Sequence, residues 1–233
     1  MPKFAVYYIP QEDDPFYRLG TQILGYDVRS RASVALPPDI HTSLGHFDAS
    51  WVLISRPYGF HLTIGDSIDC NWATIPVVER ELADLLMCFN PAHPFTLRRP
   101  THSTVVVWSN TLLLLYEPDT SFSMFHALVA ARINPLGTGS GSLKKYLTHS
   151  NPKAQLPPYK VQQTRLFYSP NVLDNWYPHF TLLNPYKGDD VSQMVSSLSQ
   201  LFEPYAQLTV KTVSLLIQND DEASWHIYRE FHL

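Results

Sequence analysis

Two stretches decide how this chain is read: Tyr58-Gly59-Phe60-His61-Leu62-Thr63-Ile64 and Tyr177-Pro178-His179-Phe180-Thr181-Leu182-Leu183. Each alternates polar and apolar residues with the two-residue period of a half-buried strand. His61 and Thr63 therefore share one face, with Phe60, Leu62 and Ile64 on the other. His179 and Thr181 likewise share a face, opposite Phe180 and Leu182. The pattern His-x-Ser/Thr occurs four times in the chain. His41-Thr42-Ser43 lacks apolar alternation, and His102-Ser103-Thr104 has a polar middle residue with Pro100 just before it. Only the copies at 61 and 179 have apolar flanks on a clean strand.

Outward from these strands the same order of elements recurs. After the first comes a helix opened by Thr74 and Pro76, with Val78, Leu82, Leu85, Leu86 and Phe89 at the spacing of one helical face. Strands over 105–108 and 112–116 follow, joined by Ser109-Asn110, with another over 95–98. After the second strand, Asp189-Asp190 caps a helix carrying Val191, Met194, Val195, Leu198, Leu201 and Phe202 on one face. Strands near 208–218 and 225–233 complete it, with Asn219-Asp220-Asp221 as the turn. Strand, helix, strand, strand thus occurs twice, which predicts one α+β domain of two duplicated lobes, about 50–120 and 170–233. The leading strands of such lobes would lie side by side at a central groove. Upstream, Phe4–Ile9 reads as a buried strand ending at Pro10, and Asp13-Asp14-Pro15 opens a helix that Gly25 stops. Residues 26–50, with Pro37-Pro38, read as an extended surface excursion, and 134–165 as a second insertion.

Composition narrows the class. Of 233 residues 16% are charged and 45% hydrophobic, which excludes a disordered chain. The net charge of −4 gives no global basic field for nucleic acid. No run approaches the ~18 apolar residues of a membrane span, and the start lacks the order of a signal peptide. Two cysteines cannot build a disulfide framework or a four-ligand zinc site. A monomeric, cytoplasmic protein is the expectation. The acids are unevenly spread, however: none lies between Asp119 and Asp174, where Arg132, Lys144, Lys145, Lys153, Lys160 and Arg165 fall. Within that segment Gly137-Thr138-Gly139-Ser140-Gly141-Ser142 fits neither the Walker nor the Rossmann glycine spacing, and reads as a flexible linker or lid.

Two imidazoles facing one groove suit the in-line displacement of a phosphoryl group. With an unperturbed pKa of ~6.5, one can take a proton from attacking water while the other gives one to the departing oxygen, and the rate should peak around neutral pH. Threonine hydroxyls can donate to the non-bridging oxygens, where the transition state carries charge. The scheme needs no metal, and neither motif has a carboxylate cluster beside it. His41 and His46, five apart, are the nearest approach to a metal pair and a poor one.

His61-Leu62-Thr63-Ile64 and His179-Phe180-Thr181-Leu182 resemble the paired tetrads of the two-histidine (2H) phosphoesterase superfamily, the RNA-ligase and cyclic-phosphodiesterase-like group. The resemblance implies two antiparallel sheets facing across a central cleft, with helices outside. It implies metal-independent, cofactor-free opening of cyclic phosphodiesters such as the 2′,3′-cyclic phosphate of a nucleotide or an RNA end. His61 and His179 would be the acid/base pair, and Thr63 and Thr181 would bind phosphate. The tetrads stand 118 positions apart, farther than in a compact member. The excess falls in 26–50 and 134–165, either of which could cover the cleft. Tyr7, Tyr58, Tyr177 and Arg165, with Arg56 behind them, are weaker candidates for substrate contact, Tyr177 by stacking on a base. The reading from a different class is a non-catalytic module that binds phosphorylated nucleotides or RNA ends through the groove and Lys144-Lys145.

Overall fold

A computed structural model of the chain describes residues 1–101, 104–148, 156–220 and 224–233. His102-Ser103 of one motif copy, Lys153 of the basic segment and Asp221 of the last turn lie outside the described residues.

The main sheet is built from β1 (Lys3–Tyr8), β2 (Leu62–Asp69), β3 (Val105–Trp108), β4 (Thr111–Leu115), β5 (Gly139–Ser140), β6 (His179–Leu183), β7 (Thr212–Gln218) and β8 (His226–His232). The longer helices are α1 (Pro15–Leu24), α2 (Ile75–Leu86), α3 (Thr120–Leu128), α4 (Pro158–Phe167) and α5 (Val191–Leu201). The strand order is β8-β7-β1-β2-β6-β4-β3, every pairing antiparallel, with β5 added at the far end of β2. A separate three-stranded sheet brings 96–98 between 207–209 and 117–118. Strand, helix and three strands do recur from Leu62 and from His179, and the members 96–98 and 207–209 pair with each other. The chain is a mixed α/β protein with several antiparallel sheets. In the main one, the groups β8-β7-β1-β2 and β6-β4-β3 join into one layer through a single pair, Phe180 with Leu62.

The elements follow their local chemistry closely where capping is strong. Asp14 accepts from the Phe16 amide at the start of α1, and Gly25 closes it in the left-handed region at φ 70°. Asp190 caps α5 in the same way through the Gln193 amide. β1 is apolar from Phe4 onward, where it is buried between neighbours on both sides. Under the junction of the two strand groups, Phe60 and Phe180 stack at 4.6 Å, and Phe16 from α1 meets each at 5.0 Å. Gly20 makes this possible: a Cβ there would lie 2.3 Å from the Phe60 ring.

Four expectations change. The strand read over 58–64 begins only at Leu62, because Arg56–Tyr58 form a 3₁₀ turn and Gly59 has φ 70°. The excursion 26–50 is not extended: it holds a small hairpin, 26–27 with 32–33, and a helix, Pro38–Leu44, that buries Ile40 and Leu44. The glycine-rich segment is not a loose linker. Gly137 packs so closely on Ile68 that a Cβ would sit 2.1 Å from its methyl carbon, Gly139–Ser140 pair with β2, and the Ser140 hydroxyl donates to Tyr168 O. The rest of that insertion carries α4. Finally, α3 was not foreseen, although Asp119 caps it and Phe122, Phe125 and Val129 mark its buried side. Among the described residues no helix is long and apolar enough to cross a membrane.

Candidate active site

The Phe180–Leu62 pair fixes the geometry of both motifs. In an antiparallel ladder, numbers run in opposite directions on the two strands, so this register sets His61 across from Thr181 and Thr63 across from His179. Leu62 and Phe180 point into the core and are fully buried, which turns the four flanking side chains to the opposite face. They occupy the corners of a quadrilateral, with the imidazoles on one diagonal and the hydroxyls on the other. Diagonal neighbours across such a ladder stand about 7–8 Å apart, room for one tetrahedral anion between them.

Both imidazoles are anchored by the same device. The Nδ1–H of His61 donates to Gly59 O at 2.9 Å, and that of His179 to Tyr177 O at 2.6 Å. Each bond reaches back two residues and fixes the tautomer, leaving Nε2 as a lone-pair acceptor with no partner among the described residues. The side chains of Thr63 and Thr181 likewise have no hydrogen-bond partner among the described residues.

The surroundings of the two rings differ. Tyr7 on β1, across from Thr63, stacks on His61 with centroids 3.9 Å apart and 17° between planes. Tyr58 lies 6.2 Å from His61 on another side. Burial, with a smaller contribution from the proximity of His179, pushes the His61 imidazole down to about 4, against the Gly59 hydrogen bond that raises it. His179 is also lowered by burial, opposed by its bond to Tyr177, and the repulsion between the rings falls on His61.

Beyond the quadrilateral the sheet splays, and side chains fill the gap. The Trp176 indole donates to Thr63 O at 2.9 Å, and the next carbonyl, Ile64 O, accepts from His126 Nδ1 at 2.7 Å. The two rings stack at 4.1 Å with planes 5° apart. His126 Nε2 accepts from the Leu173 amide, so both ring nitrogens are used, and burial pushes this imidazole down to about 4. The wedge leaves a cavity of about 130 Å³ opening on Thr63 and His179. Asp66, Ser169 and Asn171 form its polar wall, and Trp108 and Tyr177, both exposed, stand on its rim.

Asp66 escapes the sequence reading for a definite reason. Simple alternation puts it on the face opposite Thr63. The register of β2 on β1, however, shifts between Tyr7–Thr63 and Val6–Gly65, and again between Val6–Gly65 and Phe4–Ile68. The first extra residue reverses the alternation and turns Asp66 to the cleft face. There its carboxyl is raised by burial, against hydrogen bonds from Ser169 and the Ser67 amide, and its charge in turn raises the phenols of Tyr7 and Tyr58. His126 and Trp176 were also missed; the helical spacing of Phe122, Phe125 and Val129 was the available signal for the first.

Of the weaker candidates, Tyr7 and Tyr58 flank His61 and Tyr177 stands at the rim, whereas Arg165 is exposed near the end of α4 and lines no part of the cavity. Arg56 is bonded to Ser33 Oγ at 2.9 Å in the 26–33 hairpin. None of the described residues of either insertion lines the cavity, whose wall includes residues from 169–177, just after α4. Lys144 is paired with Asp69 at 2.7 Å, at the end of β2 about 20 Å from His61 by strand rise. No three His, Cys, Asp or Glu are grouped to hold a metal among the described residues.

No protein-family model matches the chain, and a search of curated proteins found no significant match. Among solved structures it is similar to E. coli LigT complexed with 3′-AMP, at 13% identity and TM-score 0.48, over 100% of this chain and 99% of that one. It is also similar to Kluyveromyces marxianus Usb1, at 10% identity and TM-score 0.38, over 100% of this chain and 98% of that one.

Proposed function

We propose that the chain is a 2H-type phosphoesterase, built of two equivalent lobes, that opens a cyclic phosphodiester: the 2′,3′-cyclic phosphate of a nucleotide or RNA end, or a related cyclic phosphate. The observation that carries this reading is the crossed quadrilateral, with Nε2 atoms on one diagonal and hydroxyls on the other, none of them partnered among the described residues. A phosphorus atom over its centre has an imidazole on each side along one line, which an in-line displacement requires, and a threonine hydroxyl toward each non-bridging oxygen.

The protonation order assigns the roles. The charge of His179 lowers His61 while His179 feels no such effect from His61, so the first proton taken up by the pair is placed on His179. In that form His61 Nε2 accepts a proton from the attacking water as the new P–O bond forms. His179 Nε2–H passes its proton to the ribose oxygen as the old P–O bond breaks. A phosphomonoester and a free hydroxyl result; the proton now sits on His61, and exchange with solvent restores the starting form. Thr63 and Thr181 donate to the oxygens that gain charge. Because both imidazoles are lowered, the singly protonated form is most populated below 6.5, and kcat/KM should peak on the acid side of neutrality rather than around it.

The test is turnover of nucleoside 2′,3′-cyclic phosphates and of oligonucleotides ending in one, with EDTA present. Activity should persist in chelator and fall at least ~100-fold in both His61→Ala and His179→Ala, as loss of an acid or base does. A non-catalytic binding module would show no turnover, and its His→Ala variants would still bind.

A further inference from the structure

Among the described residues, the candidate site offers an anion no fixed positive charge: no lysine or arginine lines the cavity that opens on Thr63 and His179, and both imidazoles are held in the range where they are neutral at pH 8. The one ionisable side chain in that wall apart from histidine and tyrosine is Asp66. It lies on the same face as Thr63 because of the register shift in β2, and its field reaches Tyr7, the ring stacked on His61. A carboxylate at this position repels every phosphate, but it repels a dianion twice as strongly as a monoanion. The difference is large in a half-buried site, where charges a few ångströms apart are poorly screened.

We propose that Asp66 is a charge filter: it admits monoanionic phosphodiesters and rejects dianionic phosphomonoesters. This residue would set which phosphates bind, and it would also favour release of the product, since opening a cyclic diester converts a monoanion into a monoester that is dianionic above the second phosphate pKa of ~6. The inference rests on the phosphate-binding part of the proposed function but not on its catalytic part. Asp66 touches none of the reacting atoms in that scheme and acts through its charge.

Two probes of nearly the same shape isolate the charge: 2′-deoxyadenosine 3′-phosphate, a dianion at pH 8, and its 3′-methyl ester, a monoanion that lacks the 2′-hydroxyl needed for cyclisation. Titration calorimetry at pH 8 should show the methyl ester binding the intact protein at least ~10-fold more tightly than the monoester, the size expected for one extra charge near a carboxylate at intermediate dielectric. In Asp66→Asn, which keeps the side-chain shape, the methyl ester should gain about 10-fold and the monoester about 100-fold, so that the preference disappears. Asp66→Ser serves as a second variant should the first misfold, with folding of each checked by circular dichroism. The filter is overturned if the wild type binds both probes equally, prefers the dianion or binds neither, or if both substitutions leave the ratio unchanged. A preserved ratio without turnover of cyclic phosphates would remove the catalytic reading and keep the filter; turnover without the ratio would do the reverse.

Discussion

The two motif strands carry the same tetrad and the same backbone anchor, yet they put their histidines in different settings. β2 runs through the middle of the sheet, and His61 at its entrance lies under the Tyr7 ring, with Tyr58 beside it. β6 enters from the loop that walls the cavity, and the residue anchoring His179 is Tyr177, whose own side chain is exposed. One histidine thus lies against two tyrosine rings and the other lines the opening. Identical chemistry in unequal surroundings is how two groups of the same type come to hold a proton at different pH, and so to serve as base and acid in one step.

The largest effect that could break this comparison is loss of either imidazole. His61→Ala and His179→Ala should each lower kcat/KM by about 10²–10⁴-fold, and the double variant should lose little more than the worse single one, because the pair acts as a unit. Additive losses would mean that the rings do not work on the same phosphorus.

Next in size is stability against acid. His61 and His126 are held near 4 in the folded protein, below the ~6.5 of an unfolded chain, so at low pH the unfolded state takes the protons first. Their contribution is complete above 6.5 and is lost progressively as pH falls from 6.5 towards 4, by about 3 kcal/mol for each buried imidazole. Urea unfolding across that interval should show the drop, and His126→Gln, which can still donate to Ile64 O, should flatten the slope by up to one proton, about 1.4 kcal/mol per pH unit. An unchanged slope would mean that His126 is charged or exposed in the native state.

Sharper still is the removal of the ring over His61. Tyr7→Leu keeps apolar bulk but lets water reach the imidazole, so the acid limb of kcat/KM should move up by about one pH unit, while the alkaline limb assigned to His179 stays in place. Movement of both limbs together would contradict the division of roles. The hydroxyls give a smaller effect: Thr63→Val and Thr181→Val should each cost about 10-fold in kcat/KM, the worth of one hydrogen bond to a charged oxygen. The smallest effect is Trp176→Phe, which deletes the bond to Thr63 O and should cost about 1 kcal/mol of stability in urea unfolding.

How far the sequence reaches is clearest along β2. The pairing of His61 with Thr63 was legible because both lie before the first register shift, where alternation holds. Asp66 lies just after it and could not be placed, since a bulge is a property of two strands together and one strand's pattern does not disclose it. The caps at Asp14 and Asp190 were legible for the opposite reason: a helix start depends on a few adjacent residues. The glycine-rich segment misled because composition alone does not separate glycines that loosen a chain from a glycine such as Gly137, which admits a neighbouring strand. The wall formed by 169–177 was invisible, as it depends on Trp176 and His126 reaching carbonyls more than sixty residues away.

The most direct test of two imidazoles bracketing one site is their titration in the free protein, followed by the ring-proton NMR signals of His61 and His179 assigned through the single variants. Both should titrate below 6.5, with His61 the lower, and His61 should shift upward in His179→Ala, because a positive neighbour has been removed. Two independent titrations near 6.5, with His61 indifferent to the loss of His179, would contradict the shared site.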